Sequence, residues 1–227
     1  RIVAEQKRSG RRFGEAGCAL RLLTREQLDD ALARQFDSPV VPVHTRPISS
    51  KVVAAYKPTG RVGEAMRALR EQLLQRWFDG PPSHRALLLA GVERDEGRSF
   101  ITANLAVAFA QLGAKTLVVD ADLRRPVLHR VFNVPAEPGF TDLVLDAEAT
   151  PDRYLHPTAL PSLWVLPCGT LPSNPVELFS QPRVAEVMDA LKERAELVIY
   201  DSPPAAVVID AVVLASRTDG VIQVVRA

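Results

Sequence analysis

The chain has 227 residues with 28 Lys+Arg against 27 Asp+Glu, a formal net charge of +1, and 47% apolar residues. That balance fits one sizeable α/β domain plus a small appendage, and it supplies no field for general nucleic-acid binding. Apolar runs fall far short of the ~20 residues that span a bilayer, residues 1–12 lack the apolar stretch of a signal peptide, and Cys18 and Cys168 stand without a CxxC motif, which argues for a reducing cytosol and against a thiolate metal site.

From residue 1 to residue 35 the pattern is helical. Leu20, Leu23, Leu28, Ala31, Leu32 and Phe36 recur at helical steps, and Thr24 with Gln27 reads as a capping box opening a helix over 24–36. Residues 37–47, with Pro39, Pro42 and Pro47, are expected to form a linker or a single edge strand. A second helix is expected over 61–78, with Leu69, Leu73, Leu74 and Trp77 on one face, ended by Asp79-Gly80-Pro81-Pro82-Ser83. Strands and helices then alternate: strands over 86–90, 116–119, 163–166, 197–200 and 221–225, with helices over 99–112 and 182–194. Apolar strands separated by helices imply a parallel sheet covered on both faces, which binds ligands at the carboxyl ends of its strands. The last strand has no following helix to cover it, the pattern of a domain cut short.

Directly after the first strand comes Gly91-Val92-Glu93-Arg94-Asp95-Glu96-Gly97-Arg98-Ser99, opening a helix. A strand, a glycine turn and a helix N-terminus aim backbone N–H groups at phosphates, and a Ser or Thr hydroxyl there ligates Mg²⁺. Val92 stands where such a loop has its first glycine, and Arg98 where it has lysine; a plain strand-to-helix turn explains this segment about as well on its own. The second strand, however, ends in Asp120-Ala121-Asp122-Leu123-Arg124-Arg125-Pro126, and the fourth in Asp201-Ser202-Pro203-Pro204. Three carboxylates at the ends of parallel strands beside a phosphate loop suit Mg²⁺ held partly through waters. The plainer alternative has Asp120 and Asp201 capping the turns that follow them.

Together these segments resemble the bacterial tyrosine kinases of exopolysaccharide assembly (BY-kinases), and among them the chain-length-determinant kinases. Glu96-Gly97-Arg98-Ser99 is similar to their Walker A motif, 117–124 to Walker A′, and 198–204 to Walker B. Leu166-Pro167-Cys168-Gly169, Pro172-Ser173-Asn174-Pro175 and Glu64-Ala65-Met66-Arg67-Ala68-Leu69-Arg70 match further hallmarks, the last being the family's ExxRxxR oligomerisation motif. The resemblance implies a P-loop NTPase fold over 48–227, preceded by a helical module and linker over 1–47. It implies that Val92, Glu93, Arg94, Asp95, Glu96, Gly97, Arg98, Ser99 and Phe100 hold ATP, and that Ser99, Asp120 and Asp201 hold Mg²⁺. Arg98, Asp120 and Asp122 would carry catalysis, Asp122 taking the proton of the attacking tyrosine hydroxyl. Glu64, Arg67 and Arg70 would form the interface of a homo-oligomer. The implied partner is a membrane chain-length-determinant (Wzz-like) protein, with the kinase cytoplasmic and peripheral to the inner membrane.

Two departures bear on that implication. Relatives carry a run of tyrosines as phosphorylation sites, whereas this chain has Tyr56, Tyr154 and Tyr200 alone. The cell-division and plasmid-partition ATPases share the same core, and a non-kinase ATPase switch of that class, or a nucleotide-binding scaffold, is the alternative reading. Their loop carries an extra lysine near its start, which Glu93-Arg94-Asp95 does not supply. At the amino terminus, Arg12-Phe13-Gly14-Glu15 with the leucines that follow resembles the N-terminal domain of type II secretion and pilus ATPases, some of which bind cyclic di-GMP through tandem copies of the motif. Residues 2–6 would be the tail of a first copy and 7–11 a spacer; a helical docking module without a ligand is the plainer reading.

Overall fold

The structure is a computed structural model and describes residues 1–24, 27, 28, 31, 47–78, 85–206 and 210–226. Among these, β1 Ala86–Gly91, β2 Thr116–Asp120, β3 His156–Pro157, β4 Leu163–Leu166, β5 Leu197–Asp201 and β6 Gly220–Val224 form one sheet in the order β3-β4-β2-β5-β1-β6. The strand pairs are parallel except β3 with β4. β2 and β5 each run one residue beyond the span expected from the apolar run, taking Asp120 and Asp201 into the ladder as direct partners. β3 was not expected; two residues cannot display an alternation, and Pro157 is tolerated because the strand lies at an edge.

Side chains alternate along each strand and divide the core in two. Leu87, Leu89, Val118, Val165 and Ile199 face one layer with the phosphate-loop helix, while Leu88, Leu117, Val119, Leu166, Val198 and Tyr200 face the other. The helices are α1 Ile2–Ser9, α2 Phe13–Ala19, α3 Val53–Tyr56, α4 Arg61–Leu73, α5 Arg98–Ala110, α6 Leu128–Phe132, α7 Phe140–Leu145, α8 Pro175–Ser180, α9 Pro182–Lys192 and α10 Asp210–Ala215. α5 is buried along almost its whole length because Ala103, Ala106, Ala108 and Ala110 let it lie close to the sheet.

The expected helix over 61–78 divides into α4 and a π-helical turn over Leu74–Phe78, where Trp77 and Phe78 pack edge to face at 4.6 Å. Gly63 in α4 is obligatory, since a Cβ there would meet the Pro58 carbonyl oxygen at 2.2 Å. The segment before α4 is strapped onto α5. Buried Asn104 accepts from the Ala54 amide at 2.9 Å and donates to the Lys51 and Phe100 carbonyls at 3.1 and 2.8 Å.

In the appendage, α1 runs through Ser9 and ends at Gly10 in the left-handed region (φ 68°), so residues 7–9 are helix rather than spacer. The expected capping box is present: the Thr24 amide donates to Gln27 Oε1 at 2.9 Å, and the Gln27 amide to Thr24 Oγ1 at 3.1 Å. The remainder of that helix and the linker or edge strand over 37–46 lie outside the described residues.

Candidate nucleotide-binding site

The site forms where β1, β2 and β5 end side by side. β1 closes on Gly91, which leaves room for two side chains: a Cβ there would sit 2.6 Å from Glu96 Oε2 and 3.0 Å from Arg98 Cδ, so both would have to shift. The loop then turns through Asp95 (φ 59°) and Gly97 (φ 93°), two left-handed residues that bend the backbone around the start of α5. The glycine at the start of the loop thus stands one residue earlier than the template position held by Val92. Glu96 folds back to accept from the Glu93 amide at 3.0 Å and lies 4.0 Å from Arg98 Nη1.

Arg98 is not extended into solvent. Its side chain is buried, with Nε donating to the Ser202 carbonyl at 3.1 Å and Nη1 to the Glu93 carbonyl. The guanidinium thus staples the phosphate loop to the loop after β5, a two-pronged grip that a single ammonium cannot reproduce.

The carboxylates are set by sheet register. Asp201, fully buried, accepts a hydrogen bond from Ser99, and its Oδ1 lies 3.2 Å from Thr102 Oγ1. Asp120 is equally buried, and its Oδ2 accepts from the Val127 and Leu128 amides at 2.9 and 2.8 Å, capping α6. That capping occupies one oxygen only: Asp120 Oδ1 and Asp201 Oδ2 are buried without a partner among the described residues. Burial, reinforced by the neighbouring Asp201 charge, holds Asp120 well above the usual carboxylate range, and burial pushes Asp201 up to about 7 despite the Ser99 and Thr102 hydrogen bonds. Two facing, orphaned carboxylate oxygens beside a serine hydroxyl at a helix start fit a hydrated divalent cation. Among the described residues no three or more Asp, Glu, His or Cys side chains gather as a metal-holding group, so Asp120, Asp122 and Asp201 do not close into a cage.

Asp122 stands above this pair, half-buried, with Oδ1 accepting from the Arg124 and Arg125 amides at 3.2 and 3.0 Å. It lines a cleft of about 400 Å³ with Arg94, Asp95, Gly97, Arg98, Ser99 and Phe100, whereas Val92, Glu93 and Glu96 do not line it. Asp120 and Asp201, both fully buried, do not line it. The sequence reading missed Thr102 and Asn104; Thr102, one turn after Arg98, was the more accessible of the two from helical spacing.

Glu64, Arg67 and Arg70 do not share one surface. Glu64 is exposed, Arg67 half-buried, and Arg70 buried with Nη1 donating to the Ala108 carbonyl at 2.7 Å near the end of α5. Six residues turn an α-helix by ~600°, leaving the first and last positions ~120° apart, so the third charged residue of the motif swings inward. Two of the three tyrosines are internal: Tyr56 is buried with its hydroxyl on the Ile48 backbone, and Tyr200 lies at the centre of the sheet. Tyr154 is half-buried, its hydroxyl 3.3 Å from Asp146 Oδ2. Burial also pushes the Cys168 thiol up to about 12, away from reactivity. No described helix is long and apolar enough to cross a membrane.

A mostly parallel sheet with a glycine-turned loop running from β1 into α5, and acidic ends on two neighbouring strands, defines a P-loop nucleotide-binding protein. Residues 84–227 match the family model described as cellulose biosynthesis protein BcsQ. The tyrosine-protein kinase YwqD of Bacillus subtilis is 32% identical over 176 residues, covering 78% of this chain and 73% of that one. The kinase domain of the Escherichia coli tyrosine kinase ETK superposes with a TM-score of 0.72 at 29% identity, covering 78% of this chain and 68% of that chain. The septum-site-determining protein MinD of Pyrococcus horikoshii, in complex with Mg-ADP, gives a TM-score of 0.53 at 25% identity over 62% of this chain and 57% of that one. Against EpsB of Ralstonia nicotianae, 36% identical over 163 residues, the chain spans about a fifth of the relative's length, 21%. The chain belongs to the bacterial tyrosine-kinase family of P-loop proteins.

Proposed function

We propose that the cleft binds Mg-ATP and passes its γ-phosphoryl group to a tyrosine hydroxyl, in the service of exopolysaccharide polymerisation and export. The observation that carries this reading is the pair of oxygens on Asp120 and Asp201 left without a partner among the described residues, with Ser99 hydrogen-bonded to Asp201 and the Asp122 charge nearby. Ser99, Asp120 and Asp201 hold Mg²⁺, the latter two through its waters; when bound, the ion neutralises charge on the phosphates. The loop amides and the start of α5 cradle the phosphates, and Arg98 fixes the loop in register with the β5 end. Asp122, held by two backbone amides, receives the phenolic proton; its half-exposed position leaves it accessible to an incoming side chain. Positioning and electrostatics carry most of phosphoryl transfer, so these roles account for the chemistry.

The partner in this reading is a membrane chain-length-determinant protein on the cytoplasmic face of the inner membrane. Self-association through the outer face of α4, with Glu64 and Arg67, completes the assembly. The test is phosphotyrosine formation by phosphatase-treated protein given Mg-ATP and a tyrosine-containing polymer. Incorporation that Asp122→Asn abolishes supports the kinase. ATP turnover without phosphotyrosine would instead favour the switch ATPase resembling MinD.

A further inference from the structure

Arg98 commits Nε and Nη1 of its guanidinium to two protein carbonyls, so it serves first as a staple of the loop. The other cations are placed to add positive charge at the transferring group in the cleft. Lys51, Arg94, Arg124 and Arg125 also line it, and of these four Arg124 has an ion-pair partner among the described residues. Its Nε donates to Asp210 Oδ2 at 3.0 Å, across 86 residues of chain. Asp210 is fully buried at the start of α10, and its other oxygen, Oδ1, has no partner among the described residues. The Arg124 side chain is 39% exposed, and neither of its two η nitrogens is committed among the described residues. A cation anchored by Nε to a buried carboxylate, with the far end of its fork unspent at the mouth of a phosphate site, is arranged for an anion that arrives and leaves.

We propose that Arg124 is a further catalytic residue, whose guanidinium meets the transferring phosphoryl group, and that Asp210 is the positioning residue that holds it there. The assignment rests on the phosphoryl-transfer reading above. In the transfer, the bond between the γ-phosphorus and the β,γ-bridging oxygen breaks with its electron pair leaving on ADP. The tyrosine oxygen bonds to phosphorus, and its proton passes to Asp122. In the loose transition state the flattened phosphoryl group lies in line between the attacking and leaving oxygens, and a guanidinium fixed to match that geometry stabilises it more than either end state. The same anchor serves Asp122, because the Arg124 amide is one of the two donors that orient its carboxylate.

The experiment compares affinity for Mg-ADP with affinity for Mg-ADP plus aluminium fluoride, a planar mimic of the transferring group, by equilibrium titration of the parent and variants. Arg124→Ala is expected to weaken the fluoride complex by about 10²-fold or more, while changing Mg-ADP affinity by less than about threefold. Asp210→Asn, which leaves the arginine but loosens it, should give an intermediate loss of about tenfold, and the double variant should be no worse than Arg124→Ala. Because Asp210 is buried and its replacement can cost folding, the decisive variant is the part-exposed Arg124→Ala. Equal losses for Mg-ADP with and without fluoride, or no loss at all, would overturn the assignment. A parent protein that gains no affinity from aluminium fluoride overturns the phosphoryl-transfer reading along with it, whereas a parent that tightens together with an Arg124→Ala variant that tightens equally overturns the Arg124 role alone.

Discussion

The phosphate loop and the acidic strand ends build one site by opposite means. The loop departs from the P-loop pattern at Val92, Asp95 and Arg98, yet its backbone still turns through two left-handed residues into α5. The strand ends keep their carboxylates in full, and sheet register alone places Asp120 beside Asp201. A site made of backbone amides tolerates changes of side chain as long as the chain path survives. A site made of carboxylate oxygens has no such latitude, because the donor atoms are the side chains themselves.

The widest gap between the two halves should appear in catalysis. Asp201→Asn is expected to lower the initial rate of phosphotyrosine formation by about 10²–10³-fold at saturating Mg-ATP, whereas Arg98→Lys should weaken nucleotide binding by about tenfold, or ~1.4 kcal/mol. Filter assays and nucleotide titration read the two quantities. An Asp201→Asn loss no larger than that of Arg98→Lys would erase the distinction.

Titration sharpens the comparison on the acidic side. A buried carboxyl whose folded pKa exceeds its unfolded value binds more protons in the native state, so the stability it confers is present at low pH and lost as pH rises. For Asp201 that loss spans roughly pH 4 to pH 7, given its ordinary value and the position near 7 that burial imposes. Metal-free protein should therefore lose on the order of 5 °C in melting temperature from this group between pH 5 and 7.5. Added Mg²⁺ should restore it at the upper pH, and Asp201→Asn should flatten the curve. Differential scanning fluorimetry across pH, with and without Mg²⁺, checks both; a profile indifferent to Mg²⁺ at pH 7.5 would remove the cation from this site.

A smaller effect belongs to the loop. Asp95 occupies the left-handed region at φ 59°, where glycine is free of the side-chain penalty. Asp95→Gly should raise stability by about 0.5–1 kcal/mol, or ~1–4 °C, without loss of nucleotide affinity. A lower melting temperature would show that the Asp95 side chain braces the loop.

How legible each half was follows from the same contrast. The parallel strands, α5 and the acidic ends are local signals: apolar runs of strand length, a breaker, then carboxylates. They were readable to within a residue or two. What escaped depended on distant chain. Nothing in Arg98 announces that its guanidinium lies on the carbonyls of Glu93 and Ser202, the latter 104 residues away. Arg70 looks like a surface charge until the end of α5, at Ala108, supplies it with an acceptor. Asp120 was set between capping a turn and serving a cation; the structure gives one oxygen to the cap and leaves the other without a partner among the described residues. The short helices α3, α6, α8 and α10 were also not anticipated, since four to six residues are too few to show a period.

The tyrosines give the fold a form of immunity. Tyr200 sits in the middle of the sheet with its phenol held far toward the neutral form by burial, and the Tyr56 hydroxyl is locked to the Ile48 backbone. Neither can accept a phosphate while the domain stays folded, because two new negative charges would have to enter a dry interior. On the kinase reading proposed above, copies of the folded domain would meet one another with these two phenols out of reach. Among the described residues only Tyr154 is open to marking, so phosphate on Tyr56 or Tyr200 in recovered protein would be a record of unfolding rather than of signalling.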